Sequence, residues 1–231
     1  MKPWKVLATA PAPDGGDFVL SQRDGEFVLR VKGAELMSSR RHGSEEAMAS
    51  VVAAELARPT AHVLVGGLGF GFTARAVLDL LGPEGRVTVA EISPAIVDWN
   101  RTFVGDLASQ PLNDPRLTVE CADVGKVLAK AAQTEATRYD AILMDVDNGP
   151  WALSAPKNQR LWQRGGIETI ARVLRSDGAL VVWSTNDDPT FVARLKAGGF
   201  SVERRPARSQ GDKGDRHILF LARPQPIRWQ A

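Results

Sequence analysis

Three glycines and one carboxylate are the first residues in this sequence whose types and spacing could bind a ligand. Gly67, Gly69 and Gly71 follow an apolar, strand-like run and precede a helix start, which leaves bare backbone for a nucleotide-like ligand. Glu91 ends the next strand-like run, where a carboxylate can accept hydrogen bonds from both hydroxyls of a ribose. The glycines and Glu91, with Ile92 beside it, therefore predict a cofactor site that holds a nucleoside.

The spacing of the glycines favours a nucleoside that carries no phosphate. The longer GxGxxG spacing of nicotinamide and flavin proteins brings a pyrophosphate to a helix N-terminus. This chain has GxGxG, with Phe70 inside the turn and Arg75 as the only cation between residues 72 and 81. S-adenosylmethionine is the common nucleoside of that kind, and the spacing argues against a nicotinamide-dependent dehydrogenase.

A second polar segment follows the strand-like run that begins at Tyr139, and it contains candidate catalytic residues. Asp145 and Asp147 are two residues apart, so in an extended chain their carboxylates point the same way and can hold an amine. A carboxylate beside an amine can orient it and accept its proton during a displacement at a sulfonium. Asn148 and Trp151 in the same loop are candidate substrate-binding residues, although turns also favour Asp and Asn for conformational reasons.

Two further segments contribute candidates. Asp123, with Val124 next to it, follows the third strand of the repeating pattern and is expected to accept a hydrogen bond from an adenine amine, to cap the following helix, or both. The polar stretch from residue 37 to 46 precedes the glycine-rich unit, and His42 and Glu46 are candidates to line the substrate pocket. The alternative for this stretch is a helix cap with a solvated loop before it.

Composition excludes several other classes of protein. Basic and acidic side chains number 29 and 27, so no general field attracts nucleic acid or a membrane surface. The single cysteine, Cys121, excludes an internal disulfide and is expected to be a buried thiol; the histidines show no metal-ligand spacing, so we expect no metal site. The absence of a signal core and of any long apolar run predicts a cytoplasmic protein.

The order of the elements predicts an α/β fold that would place these residues together. Asp24-Gly25 indicates a hairpin between residues 18–23 and 26–31, with a strand at 5–9 before it and a helix at 44–57 after it. Strands and helices then alternate, which predicts a mostly parallel sheet with an antiparallel edge strand. The strands are expected at 62–66, 86–91, 116–121, 139–145, 178–184, 200–205 and 217–222, and the helices at 73–81, 94–104, 124–132, 159–174 and 189–197. We expect a small N-terminal β element at 1–35 and one larger domain at 36–231.

Four of these segments, in this order and spacing, resemble the spermidine synthase (aminopropyltransferase) family: the glycine turn, the sequence from Val89 through Glu91, the stretch from Asp114 to Asp123, and the stretch from Tyr139 to Asp145. The resemblance covers roughly residues 36 to 185 and implies the Rossmann-like fold of S-adenosylmethionine-dependent methyltransferases. It also implies that Glu91 binds the ribose, Asp123 the adenine, and Asp145 the transferred group and the attacking amine. A homodimer is a further possibility that the family raises.

The chain also departs from the family pattern. Phe70 stands where the family usually has the acid that holds the aminopropyl amine, and Asn148 stands where it has a second acid. The leading hypothesis is a transferase that uses S-adenosylmethionine or its decarboxylated form to alkylate an amine-bearing small molecule. The alternatives are a non-catalytic nucleoside-binding protein of the same fold and an amino-methylating methyltransferase that uses the loop Asn148-Gly149-Pro150-Trp151.

Overall fold

The computed structural model describes residues 2–13, 15–134, 138–145, 158–211 and 213–225. The strands are β1 (Lys5–Pro11), β2 (Asp17–Arg23), β3 (Glu26–Val31), β4 (Ala34–Ser38), β5 (His62–Gly66), β6 (Arg86–Ala90), β7 (Leu117–Glu120), β8 (Tyr139–Met144), β9 (Leu174–Ser184), β10 (Phe200–Gln210) and β11 (Lys213–Pro224). The α-helices are α1 (Gly43–Ser50), α2 (Ala53–Leu56), α3 (Phe72–Leu80), α4 (Pro94–Trp99), α5 (Val124–Ala131), α6 (Asn158–Leu161), α7 (Arg164–Val173) and α8 (Pro189–Ala197).

The N-terminal strands form an antiparallel sheet in the order β1-β2-β3-β4. The turn at Asp24-Gly25 has positive φ at both residues, as its sequence predicts. A second turn of the same kind, Lys32-Gly33, leads into β4, which was missed because a lysine seldom occupies a left-handed position. This sheet therefore continues past residue 35 to Ser38, and α1 begins at Gly43.

The larger sheet has the strand order β10-β11-β9-β8-β5-β6-β7. Strands β5 to β9 pair in parallel, and β11 is antiparallel to both β9 and β10. The predicted α/β fold, with seven strands in a mostly parallel sheet and an antiparallel strand near one edge, is confirmed. The antiparallel strand lies second from the edge because β10 pairs outside it.

Several predicted elements have different limits in the structure. The helix expected at 44–57 is two helices, α1 and α2, and the helix expected at 94–104 becomes a π-helix over Asn100–Val104 after α4. The helix expected at 159–174 is likewise two helices, α6 and α7, and Leu174 already belongs to β9. The hairpin of β10 and β11 is longer than expected. Cys121 is exposed, contrary to the expected buried thiol, because it lies just beyond the end of β7.

Each face of the sheet is covered by its own hydrophobic cluster. Alternate residues of β5 point in opposite directions, so Val63 and Val65 join the cluster that includes α1 and α3, and Leu64 joins the cluster that includes α5 and α7. Ala141 and Leu143 of β8 join the first cluster as well. No helix in the described ranges is both long enough and apolar enough to cross a membrane.

An ion pair joins α2 to β11 across a large sequence separation. Glu55 is buried, and its Oε1 accepts hydrogen bonds from Arg223 Nε at 3.0 Å and Nη2 at 2.8 Å. We expect Arg223→Met to lower the free energy of unfolding by about 3 kcal/mol, because it leaves a buried carboxylate without its partner. Urea denaturation measures the change, and the double variant Glu55→Met/Arg223→Met should recover part of it. An unchanged midpoint in Arg223→Met would contradict this.

Candidate functional site

The predicted site residues follow strands that lie side by side at the centre of the sheet. The chain connects β5 to β6 and β7 on one side, and β8 lies on the other side of β5. Such a reversal of strand order opens a crevice at the carboxyl ends of the strands. The glycine turn follows β5, Glu91 follows β6 and Asp145 follows β8, so the fold brings these three segments to one edge.

The glycine turn requires glycine at each of its three positions. Gly67, Gly69 and Gly71 have φ values of 91°, 52° and 88°, in the left-handed region that other residues seldom adopt. The buried carboxylate of Glu91 holds the turn, because its Oε2 accepts a hydrogen bond from Leu68 N at 2.9 Å. Its Oε1 accepts a second bond, from Ser93 N at 2.8 Å. Glu91 therefore links the two loops that flank the crevice and is fixed in orientation by backbone donors.

Asn100 contacts the glycine turn from the opposite side, through the first residue of the π-helix. Its side chain is 1% exposed, and Nδ2 donates to Gly69 O at 2.7 Å and to Ile96 O at 2.9 Å. A Cβ added at Gly71 would lie 3.3 Å from Asn100 Oδ1. Short π-helical turns often occur at functional sites, and this one places a buried amide against the turn.

One side chain of the N-terminal sheet packs on Gly69, and Phe70 of the turn itself is buried. A Cβ added at Gly69 would lie 2.6 Å from Met37 Cε, so β4 of the N-terminal sheet packs directly on the turn. Phe70 is 4% exposed and belongs to the hydrophobic cluster of the α3 face. The residue that replaces the family's usual acid is thus a core side chain, and an aspartate there would be buried among apolar groups.

The other residues predicted to bind the cofactor, of which Asp123 was assigned to adenine, lie just beyond the ends of β6 and β7. Asp123 is the N-cap of α5, and its Oδ1 accepts a hydrogen bond from Lys126 N at 3.2 Å, so the expected capping role is present. Val124 is buried behind it. Ile92, next to Glu91, is 46% exposed and offers an apolar surface at the crevice. The adenine contact itself stays a prediction.

Asp145 is held in place by hydrogen bonds to strand β5 and to helix α3. Its backbone N donates to Gly66 O at 2.9 Å, which continues the pairing of β8 with β5. Its Oδ2 accepts a hydrogen bond from Thr73 Oγ1 at 2.6 Å, and Thr73 is a buried residue in the first turn of α3. The carboxylate predicted to be catalytic is therefore held against the helix that follows the glycine turn.

The start of α1 lies against the start of α3. The ring of His42 stacks on Phe72 with the centroids 4.1 Å apart, and its Nδ1 is 2.8 Å from Glu46 Oε1. Glu45, in the same turn, is half-buried and accepts a hydrogen bond from Ser44 Oγ at 2.6 Å. Burial and the negative charge of Asp145 raise the pKa of Glu45 from 4.5 to about 7. The carboxylate of Glu45 thus lies close enough to Asp145 for the two charges to repel each other.

Buried polar atoms without a hydrogen-bond partner in the described ranges flank this region. They include Asn100 Oδ1 and Trp183 Nε1; Trp183 follows Val182, which pairs with Met144 just before Asp145. Such atoms in native proteins usually have water or a ligand as a partner. Asp147, Asn148 and Trp151 lie outside the described residues, so their predicted roles stay predictions. Among the residues that the structure does describe, no group of His, Cys, Asp or Glu is placed to hold a metal ion.

Sequence reasoning missed four contributors to the site: Met37, Glu45, Thr73 and Asn100. Met37 and Asn100 contact the glycine turn across at least 30 residues of chain, and no local pattern encodes such contacts. A threonine in the first turn of a helix, like Thr73, is common for capping reasons alone. Glu45 carried a weak signal, because two successive acids begin the helix directly before the glycine-rich unit.

Solved structures with known folds match this arrangement. The chain is similar to spermidine synthase from Thermotoga maritima, with a TM-score of 0.69 and 15% identity over 96% of this chain and 74% of that one. It is also similar to human methyltransferase-like protein 13 in complex with SAH, with a TM-score of 0.58 and 22% identity over 82% of this chain and 85% of that one. These similarities show a Rossmann-like methyltransferase fold.

Sequence comparison narrows the assignment from the fold to a family. A polyamine aminopropyltransferase from Shouchella clausii is 31% identical over 136 residues, which is 58% of this chain and 44% of that relative. The matched part therefore spans less than half the length of the relative. The model of the spermine/spermidine synthase domain matches residues 41–192, from the loop before α1 to α8 and including every crevice segment described above. On the strength of that match, which covers well over half of the chain, this protein belongs to the spermine/spermidine synthase domain family.

Proposed function

We propose that this protein is an alkyltransferase that binds S-adenosylmethionine or its decarboxylated form and transfers an aminopropyl or methyl group to an amine-bearing small molecule. The observation that carries the proposal is the meeting of the glycine turn, Glu91 and Asp145 at one edge of the sheet. Aminopropyl transfer is the first candidate, because the similar curated proteins are named polyamine aminopropyltransferases.

The described residues fit such a nucleoside. Glu91 is a carboxylate held in orientation by two backbone donors, and a carboxylate oxygen can accept more than one hydrogen bond, so Glu91 is suited to accept from a ribose hydroxyl. Ile92 supplies an exposed apolar surface and Asp123 a carboxylate for the base. The nucleoside would lie across the ends of β6 and β7, with its sulfur directed towards β8 and Asp145.

The chemistry required of the protein is modest. The bound sulfonium supplies an electrophilic carbon, and transfer forms a C–N bond as the C–S bond breaks and its electron pair passes to sulfur. The attacking amine must be deprotonated and aligned, and it loses one proton after attack. The Asp145 carboxylate, fixed by Thr73 Oγ1, would orient that amine and accept the proton.

Calorimetry with S-adenosylmethionine, decarboxylated S-adenosylmethionine and methylthioadenosine tests the binding half of the proposal. Absence of binding by all three would refute it. Turnover of labelled donor with a panel of diamines and polyamines tests the catalytic half. Binding without turnover across the panel would favour a non-catalytic nucleoside-binding protein.

Methyl transfer is the second candidate, and the burial of Phe70 favours it. Because Phe70 lies in the core, the glycine turn presents no acid to a donor's ammonium group. If the labelled methyl group of S-adenosylmethionine appears on the amine, and the decarboxylated donor gives no product, methyl transfer is the activity.

The contact between Asn100 and the glycine turn gives a further prediction. We expect Asn100→Leu to lower the free energy of unfolding by about 1 to 3 kcal/mol, since it leaves the carbonyl of Gly69 without its buried donor. The turn should also lose its fixed shape, and the affinity for methylthioadenosine should fall by roughly tenfold. Urea denaturation and calorimetry measure the two effects.

Thr102→Val is a matched control for this variant. Thr102 Oγ1 also donates to a backbone carbonyl, Asp98 O at 2.8 Å, but it is exposed and its partner lies one helical turn before it. The control should change affinity by less than about twofold. If Asn100→Leu loses stability with no change in affinity, Asn100 does not position the nucleoside site.

A further inference from the structure

We propose that Glu45 is the second carboxylate of an alkylammonium site shared with Asp145, and that it replaces the acid missing from the glycine turn at Phe70. This inference rests on the proposed function. It adds a residue from α1, outside the glycine turn, to the proposed active site.

The packing of α1 on α3 brings Glu45 to the end of β8. His42, at the start of α1, stacks on Phe72, and the neighbouring Thr73 donates to Asp145 Oδ2 at 2.6 Å. Glu45 lies in the first turn after His42 and is close enough to Asp145 for their charges to interact. Three elements therefore converge at this point, and two of them present a carboxylate.

Within the described part of the chain, the charged groups that act on Glu45 are both carboxylates. Asp145 from β8 and Glu46 from its own helix are both negative and both raise its pKa. The residues that α3 places here, Phe72 and Thr73, are uncharged, and β10 contributes backbone of Arg208 and Ser209 beside Gly43. The hydroxyl of Ser44 and a backbone hydrogen bond favour the charged form of Glu45. An ammonium placed between the carboxylates of Glu45 and Asp145 would be attracted to both and would offset their mutual repulsion.

The tail of the donor is one source of that ammonium, and the acceptor amine is the other. The decarboxylated donor carries an ammonium and no carboxylate on its tail, so two acids suit it. The tail of S-adenosylmethionine also carries a carboxylate, which two acids would repel. Methylthioadenosine has no ammonium and therefore reports on the nucleoside site alone.

Calorimetry on Glu45→Gln with these ligands separates the possibilities. If the site holds the donor tail, we expect affinity for decarboxylated S-adenosylmethionine to fall by about tenfold or more, and affinity for methylthioadenosine to change by less than about twofold. If it holds the acceptor, the same loss should appear for a diamine titrated in the presence of methylthioadenosine. Glu168→Gln, which removes a surface charge on α7, should change none of these affinities.

The pH profile supplies a readout that a purely structural role would not give. Because the pKa of Glu45 is about 7 without ligand, affinity of the wild type for the ammonium ligand should rise about tenfold from pH 6 to pH 8. Affinity for methylthioadenosine should stay constant, and the Glu45→Gln profile should be flat. Glu45→Gln also removes repulsion, so its melting temperature should exceed that of the wild type at pH 8 and approach it at pH 5.

Two results would overturn the proposal. If the wild type binds the ammonium ligands and Glu45→Gln binds both equally well, Glu45 has no part in the site while the proposed function stands. If the wild type binds none of the three nucleosides, the proposed function fails and this inference fails with it.

Discussion

Asp145→Asn is expected to lower the rate of alkyl transfer by about 10²- to 10⁴-fold, the range typical for loss of a general base. The amide has nearly the same shape and can still accept the hydrogen bond from Thr73 Oγ1. It cannot accept the proton of the attacking amine, and it has no charge to hold an ammonium. The loss should therefore appear in kcat, measured by the release of the thioether nucleoside.

The binding of methylthioadenosine separates this loss from damage to the fold. The affinity of Asp145→Asn for methylthioadenosine should stay within about twofold of the wild-type value. Its thermal stability should not fall, because the variant removes one member of the repulsive pair formed with Glu45. A variant that melts earlier and binds no nucleoside would mean that Asp145 mainly holds the structure.

Thr73→Val is the matched comparison for this prediction. It removes the hydroxyl that fixes the carboxylate and leaves the carboxylate itself. A loss of about tenfold in kcat is expected, smaller than that of Asp145→Asn, because the base remains and only its orientation is less fixed. If Asp145→Asn retains a third or more of the wild-type rate, Asp145 is not the base.

The sequence was sufficient for those parts of the fold that local patterns encode. Asp24-Gly25 predicted a hairpin because few residue pairs adopt two left-handed conformations, and both φ values are positive. The alternation of strands and helices predicted the parallel sheet, since β-α-β units connect in one way. The same alternation predicted that the glycine turn and Glu91 lie at neighbouring strand ends, and Glu91 bonds to Leu68 in the turn itself.

The parts that were missed depend on contacts between distant segments. A hydrophobic pattern typical of a helix continues past Trp99, but the buried amide of Asn100 bonds to Gly69, and the helix widens to a π-helix there. The strand β4 has only five residues, and pairing with β3 stabilises it. Glu45 and Asp145 are 100 residues apart, so their interaction follows from the docking of α1 on α3.

The other large effect is expected for Glu91→Gln, which should lower the affinity for methylthioadenosine by about 100-fold. The wild-type carboxylate accepts bonds from Leu68 N and Ser93 N at once. A glutamine directs its NH₂ group at one of these two donors, so one buried bond is replaced by a repulsive contact. The glutamine side chain also has one acceptor oxygen, whereas the wild-type carboxylate would offer two to the two ribose hydroxyls.

Glu91 contributes to binding in two ways, by contact with the ribose and by holding the glycine turn in shape. A thermodynamic cycle with altered ligands separates these two contributions. Removal of the 2′- or 3′-hydroxyl from methylthioadenosine should weaken binding to the wild type by about 1 to 3 kcal/mol, because a buried acceptor is left unpaired. Removal of the same hydroxyl should weaken binding to Glu91→Gln by markedly less if the wild-type carboxylate contacts that hydroxyl. If both proteins lose the same amount, the effect of Glu91 passes through Leu68 and the shape of the glycine turn, and the ribose is held by other groups.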